Sequence, residues 1–303
     1  MTKRDIHFES QGLKCAGTLY LPRADDKRPV IVMAHGLGCI KEMRLDAFAE
    51  AFSIAGYACL LFDYRYFGAS EGEPRQLLDI ESEINDWKAA IAYARSIEEV
   101  DNEKIIIWGS SFSGGHVLRL AAMDEKISAV VAQCPFTDGI SSSMKLNLMS
   151  SMKLGTLAAW DLVGSKIGRN PVYVKSAGKP SEAALMTGPD CEDGYFKLIP
   201  DGDAKDRFQN KVAARFVFQI MRSAPGKSVP KIKCPVLFCI CDNDTVAPAN
   251  KTYEYASKAQ KGVIKRYPLG HFDIYVGEGF TTAVHDQLQF LYEKVPVSSS
   301  TPR

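Results

Sequence analysis

This 303-residue chain predicts an α/β fold, a mostly parallel sheet with helices on both faces that is interrupted by a helical insertion. Three observations carry that prediction. Short continuous apolar runs recur, as expected of strands buried on both faces. Stretches with helical spacing of apolar residues alternate with them, the rhythm of βαβ units. The alternation stops near residue 136 and resumes near residue 230.

The elements follow in order. Residues 6–10 and 13–21 read as two strands flanking a hairpin turn at Gln11-Gly12. PVIVMA (29–34) is a buried strand that ends in His35-Gly36-Leu37-Gly38. A helix is expected over 41–55, closed by Gly56, and then the strand ACLLF (58–62). Ile80, Ile84, Trp87, Ile91 and Ala94 mark an amphipathic helix. KIIIW (104–108), a helix over 112–123 and the strand SAVVA (128–132) come next. Residues 136–229 show no clear buried strand, are rich in Met and Leu, and include a helix-like stretch over 212–221. They are expected to form a largely helical cap or lid, whose Met and Leu residues either wall an apolar pocket or pack as the lid's own core. The core resumes with PVLFCI (235–240), a helix over 250–259, a strand over 263–267 and a final helix carrying Val284, Leu288 and Leu291. The expected division is a core of residues 1–135 and 230–295, a cap of 136–229, and a flexible tail of 296–303.

Composition narrows the function classes. The net charge is +1, with 46% hydrophobic and 24% charged residues, and no block of like charge points to nucleic acid or an anionic membrane. The polar start MTKRDIHFES does not read as a signal peptide, and no apolar run approaches the length of a membrane span. A cytoplasmic protein is expected. The eight cysteines show no C-x-x-C pair and no zinc spacing, so reduced buried thiols are expected, with no metal and no cofactor.

The chemistry concentrates at the carboxyl ends of the strands. Gly109-Ser110-Ser111-Phe112-Ser113-Gly114-Gly115 follows a buried strand and opens a helix. A serine on so sharp a turn is exposed for attack, and the turn demands small residues two before and two after it. Gly109 and Ser113 flank Ser111 in this way, which makes Ser111 the candidate nucleophile. The usual G-x-S-x-G pattern has glycine where this chain has Ser113. The backbone N–H groups of Leu37, in the His35–Gly38 turn, and of Phe112 are the candidate oxyanion hole. His35 itself reads as a structural histidine. In CDNDTVAP, Asp244 is preferred to Asp242 as the orienting acid because it lies four residues before Pro248. His271, in Gly270-His271-Phe272, is the candidate general base. Asp63 and Arg65, in FDYRYFGASEG, read as braces between loops.

HGLG, FDYRYFGASEGEPRQLLDI, WGSSFSGGHV, CDNDTVAP and GHFD together resemble the α/β-hydrolase superfamily, with the order Ser…Asp…His. More narrowly, the chain is similar to the fungal polyketide transferase/thiohydrolase family, with dienelactone-hydrolase-like and X-Pro-dipeptidyl-peptidase-like relatives. The resemblance implies an eight-stranded α/β-hydrolase sheet and a catalytic set of Ser111, Asp244 and His271. It also implies release or transfer of a polyketide-like acyl group in secondary metabolism, the substrate arriving as a small ester or thioester or on a carrier protein or polyketide synthase. Some relatives end in a peroxisomal tripeptide, which Thr-Pro-Arg does not match. The expected activity is an esterase or thioesterase. The alternatives are an acyltransferase using an alcohol acceptor, and a binding protein or cyclase that retains the pocket without hydrolysis.

Overall fold

The structure is a computed structural model that describes residues 1–23, 26–199, 202 and 204–297. The main sheet has eight strands. In chain order these are β1 (Thr2–Ser10), β2 (Leu13–Leu21), β3 (Arg28–Ala34), β4 (Ala58–Phe62), β5 (Val100–Ser110) and β6 (Ile127–Gln133), then β10 (Val236–Cys241) and β11 (Gly262–Tyr267). Three short strands, β7 (Tyr173–Ala177), β8 (Ala184–Met186) and β9 (Val212–Ala213), lie between β6 and β10 and form a separate sheet. The main sheet runs β1-β2-β4-β3-β5-β6-β10-β11. β2 pairs antiparallel with β1 and with β4, and every other pairing is parallel.

Burial follows the sequence pattern. β3, β4 and β10 are buried at every residue, and apart from Arg28 at the start of β3 they read as unbroken apolar runs. β1, at the edge, buries Ile6, Phe8 and Ser10 and turns the alternate residues to solvent. The hairpin turn expected at Gln11-Gly12 is present, with φ of 49° and 82°.

Strand alternation divides the interior into two cores. Val30, Val32, Leu60, Ile105 and Ile107 face one side, where α2 (Ile80–Ser96), α3 (Phe112–Ala121) and α9 (Ala249–Ala256) pack through Trp87, Val117 and Tyr255. Ile31, Met33, Leu61, Ile106 and Trp108 face the other, against α1 (Leu45–Ile54) and α10 (Gly277–Lys294) through Phe48, Phe52 and Leu291. Helix α1 begins later than expected. Residues 41–44 form a turn, and Arg44 sits in the left-handed region at φ 70°.

The segment between β6 and β10 is largely helical as expected, but it also holds strands where none was expected. It carries α4 (Gly139–Ser143), α5 (Leu148–Lys166), α6 (Cys191–Phe196), α7 (Ala204–Arg207) and α8 (Val217–Arg222), together with the sheet β8-β7-β9. The helix expected over 212–221 is divided into β9, a 3-10 turn and α8. These strands have two to five residues, too few to show a periodicity. At the C-terminus, Val295 is buried and Val297 packs near Gly56, so the chain still touches the core where a tail from 296 was expected. The rest of that expected tail, residues 298–303, lies outside the described residues.

Candidate active site

Ser111 stands between β5 and α3 with φ 54° and ψ −116°, a conformation a non-glycine residue adopts only when the surroundings impose it. The turn is held on both sides. The Ser111 N–H donates to the Gln133 carbonyl at 2.9 Å, and the Phe136 N–H donates to the Ser111 carbonyl at 2.8 Å. A Cβ at Gly109 would lie 2.3 Å from the Ser113 carbonyl oxygen, so glycine is required there. Ser113 is tolerated because its side chain turns away, and its hydroxyl is hydrogen-bonded to the Tyr64 phenol.

His271, in the loop after β11, places Nε2 3.0 Å from Ser111 Oγ. Its Nδ1 is 2.6 Å from Asp244 Oδ2. The other oxygen of Asp244 accepts the N–H groups of Val246 and Ala247, at 2.8 and 2.6 Å. Those two bonds fix the carboxylate, and the two oxygens divide between loop and imidazole. All three side chains are at least nine-tenths buried. Asp242 faces elsewhere, onto Arg266 Nε at 2.7 Å at the surface. Of the three serines at the turn, Ser110 is hydrogen-bonded to Tyr275 and Ser113 to Tyr64, which leaves Ser111 facing His271.

The His35–Gly38 turn passes directly over Ser111. A Cβ on Gly36 would meet Ser111 Cβ at 2.9 Å, so the backbone approaches as only glycine permits. Leu37 and Phe112 both line the same cavity as Ser111. Phe112 opens α3, whose N-terminal dipole end faces Ser111. His35 is buried and structural. Its Nε2 bonds to the Met43 carbonyl and its Nδ1 accepts the Gly36 N–H at 3.2 Å. Burial lowers its pKa to about 4. The insertion also touches this loop, since the Tyr195 hydroxyl donates to the Leu37 carbonyl at 2.9 Å.

A cavity of about 290 Å³ begins at Ser111 and extends between the main sheet and the insertion. Phe136, Leu154, Met186, Val217 and Ile220 give it apolar walls. Asp63 and Arg65 lie outside it and brace loops as expected. Asp63 accepts the Lys41 and Ala69 N–H groups, at 2.7 and 3.0 Å, and Arg65 pairs with the buried Asp86 at 2.6 Å. His116 bonds to Glu83 at 2.7 Å behind the serine turn, and burial lowers its pKa to about 3. Among the described residues, no three His, Cys, Asp or Glu side chains are grouped as metal ligands, and no helix is long and apolar enough to cross a membrane.

Sequence reasoning assigned no role to Tyr64 or Tyr195, whereas the Met and Leu of the insertion were expected as pocket wall or lid core: Leu146 and Leu154 line the cavity, and Met144, Leu148, Met149 and Met152 are exposed instead. Tyr64 lies within a stretch already singled out for its aromatic and charged residues, a usable signal. Tyr195 reaches Leu37 across 158 positions of sequence, and no local pattern announces that contact.

Sheet order, serine turn and facing histidine define an enzyme of the α/β-hydrolase type. The family described as alpha/beta hydrolase fold matches residues 29–160, and the chain belongs to it. Among similar proteins, the quorum-quenching protein AidA of Acinetobacter baumannii is 53% identical over 97% of this chain and 95% of its own. The thiohydrolase aneE of Aspergillus aculeatus is 39% identical over 96% of this chain and 93% of its own. The solved structure of DcsB in complex with its substrate analogue superposes with a TM-score of 0.81 at 23% identity, covering 97% of this chain and 99% of that one.

Proposed function

We propose that this enzyme cleaves an ester or thioester of an apolar acyl group, with Ser111 as nucleophile, His271 as general base and acid, and Asp244 as the acid that orients it. The observation that carries the proposal is His271 bridging Ser111 at 3.0 Å and Asp244 at 2.6 Å, at the end of an apolar cavity. Ser111 Oγ attacks the acyl carbonyl and its proton passes to His271 Nε2. Nδ1–H stays on Asp244, which fixes the tautomer and stabilises the imidazolium. The backbone amides of Leu37 and Phe112 hold the oxyanion, and losing one such donor costs about 10²–10³ in rate. The departing alkoxide or thiolate takes the proton from His271. Water, deprotonated by the same histidine, then attacks the acyl-enzyme and frees the acid and Ser111.

The insertion serves as the lid and acyl-chain wall in this reading. The cytoplasm is the proposed location, because the eight cysteines are unpaired and seven of them are buried. The resemblance to thiohydrolases supports a thioester of the polyketide type. The 53% identical quorum-quenching relative supports a second reading, in which the ester belongs to a diffusible signal and hydrolysis silences it. Transfer to an alcohol uses the same residues with a different acceptor.

A fluorophosphonate probe read by intact mass tests the nucleophile. One adduct on the wild type, absent in Ser111→Ala, is expected, and a folded wild type that takes no adduct would refute the mechanism. Turnover of a panel of long- and short-chain thioesters, alkyl esters and a lactone bearing a long N-acyl chain separates the substrate readings. Analysis of the products with an alcohol present separates hydrolysis from transfer.

A further inference from the structure

We infer that the outward face of α5 binds the surface of an anionic lipid bilayer. The helix buries Ser150, Leu154, Ala158, Asp161 and Gly164 against the rest of the fold. The opposite face carries Leu148, Met152, Trp160 and Val163, exposed by 76, 61, 65 and 64%. Met144 before the helix and Ile167 after it are exposed as well and extend the stripe. Such a helix, apolar on the face away from its own core, is unusual on a protein surface bathed in water.

Three observations select the occupant. First, the charges on residues 139–171 have one sign. Lys145, Lys153, Lys166 and Arg169 are exposed, whereas the single acid in the stretch, Asp161, is buried in an ion pair with Arg215 at 2.7 Å. A second copy packed on this face would bring lysines toward lysines, while an anionic headgroup layer neutralises them. Second, Trp, Met and Leu between lysines is the composition that settles at the boundary of headgroups and acyl chains. Third, Ser151, Leu154 and Gly155 of the same helix line the cavity at Ser111, so a helix seated in the interface holds the cavity next to the bilayer. A helix lying on a membrane needs no spanning segment, and four separated cations form no charge block. The sequence patterns that argued against a membrane partner therefore do not bear on this mode of binding.

Trp160 provides the readout. Of the three tryptophans, Trp87 and Trp108 are fully buried, so a change in emission on adding vesicles reports Trp160. Vesicles of phosphatidylcholine with phosphatidylglycerol are compared with pure phosphatidylcholine by co-sedimentation and fluorescence. The expected result is binding to the anionic vesicles with a blue shift, at least tenfold weaker to neutral vesicles or in high salt. Met152→Glu with Val163→Glu, both exposed and outside the cavity, should lower binding at least tenfold. The variant should keep its melting temperature and its turnover of a soluble short-chain ester. Absence of binding with unshifted emission overturns the inference. So does equal binding to both vesicle types, or a stable dimer in light scattering that this double variant dissociates. Binding is measured without turnover, so its result stands apart from the assignment of Ser111.

Discussion

The hydroxyl of Ser113 is hydrogen-bonded to the phenol of Tyr64, deep behind the serine turn. Tyr64 in turn accepts the Trp87 indole N–H at 2.8 Å. Ser113 occupies the place where the usual pattern has glycine, and here the hydroxyl completes a buried polar chain between α3, the loop after β4 and α2. Replacement with the pattern residue is therefore expected to harm the protein. Ser113→Gly and Ser113→Ala each leave the buried Tyr64 hydroxyl with the Trp87 N–H but without its Ser113 partner and should lower stability by about 1–2 kcal/mol. Urea denaturation checks this, and unchanged midpoints would show that the chain contributes nothing.

Asp244 and Asp242 differ in what they hold. Asp244 faces His271, whereas Asp242 makes a surface ion pair with Arg266. Asp244→Asn should lower kcat/KM by about 10³–10⁴ through loss of the correct tautomer, and Asp242→Asn should leave it within about twofold. Ester turnover by the two variants measures the difference, and the reverse order would reassign the acid.

Acid should weaken the fold through His35. Its neutral imidazole bonds to the Met43 carbonyl through Nε2, and Nδ1 accepts the Gly36 N–H, so a second proton has no place. Burial holds its pKa at about 4, against about 6.5 in the unfolded chain. Below pH 6.5 the unfolded state binds a proton that the folded state refuses. Stability is therefore lost as pH falls from about 6.5 to about 4, by up to about 3 kcal/mol from this residue. Melting curves over that range should show a steeper decline in the wild type than in His35→Asn, at whatever baseline the variant has.

Gly155 offers a direct test of the proposal that the cavity takes the acyl chain. It sits inside α5, lines the cavity, and a Cβ there would meet no atom within 4 Å. Gly155→Ala should raise stability by about 0.5–1 kcal/mol by reducing backbone freedom. Gly155→Phe should project a ring into the cavity. Long-chain esters should then lose about tenfold or more in kcat/KM, while acetyl esters change little. An equal loss for both would place the acyl chain elsewhere.

The parallel strands and the residues at their carboxyl ends were legible in the sequence because each rests on local chemistry. PVIVMA and PVLFCI are apolar because both faces are covered, and Gly109 is glycine because the turn leaves no room for a Cβ. The insertion was legible as a break in rhythm and as a largely helical stretch, but its small sheet was not. β7, β8 and β9 are only two to five residues long and β9 pairs with β7 from about 40 positions away, and the helix pattern near 212–221 came from Phe216 and Val217 packing as a 3-10 turn and a short helix. The preference for Asp244 over Asp242 came from spacing to Pro248; in the structure the Val246 and Ala247 amides hold one oxygen of Asp244 and leave the other to His271.

The bond from Tyr195 to the Leu37 carbonyl ties the insertion to the loop over Ser111. That tie restricts how this enzyme can be rebuilt. An insertion grafted from a relative to change substrate range brings its own residue at position 195, and with it a different hold on the glycine loop. Grafts that lose this hydroxyl should fail in turnover before they reveal a new preference, so selectivity and reactivity in this scaffold are inherited together.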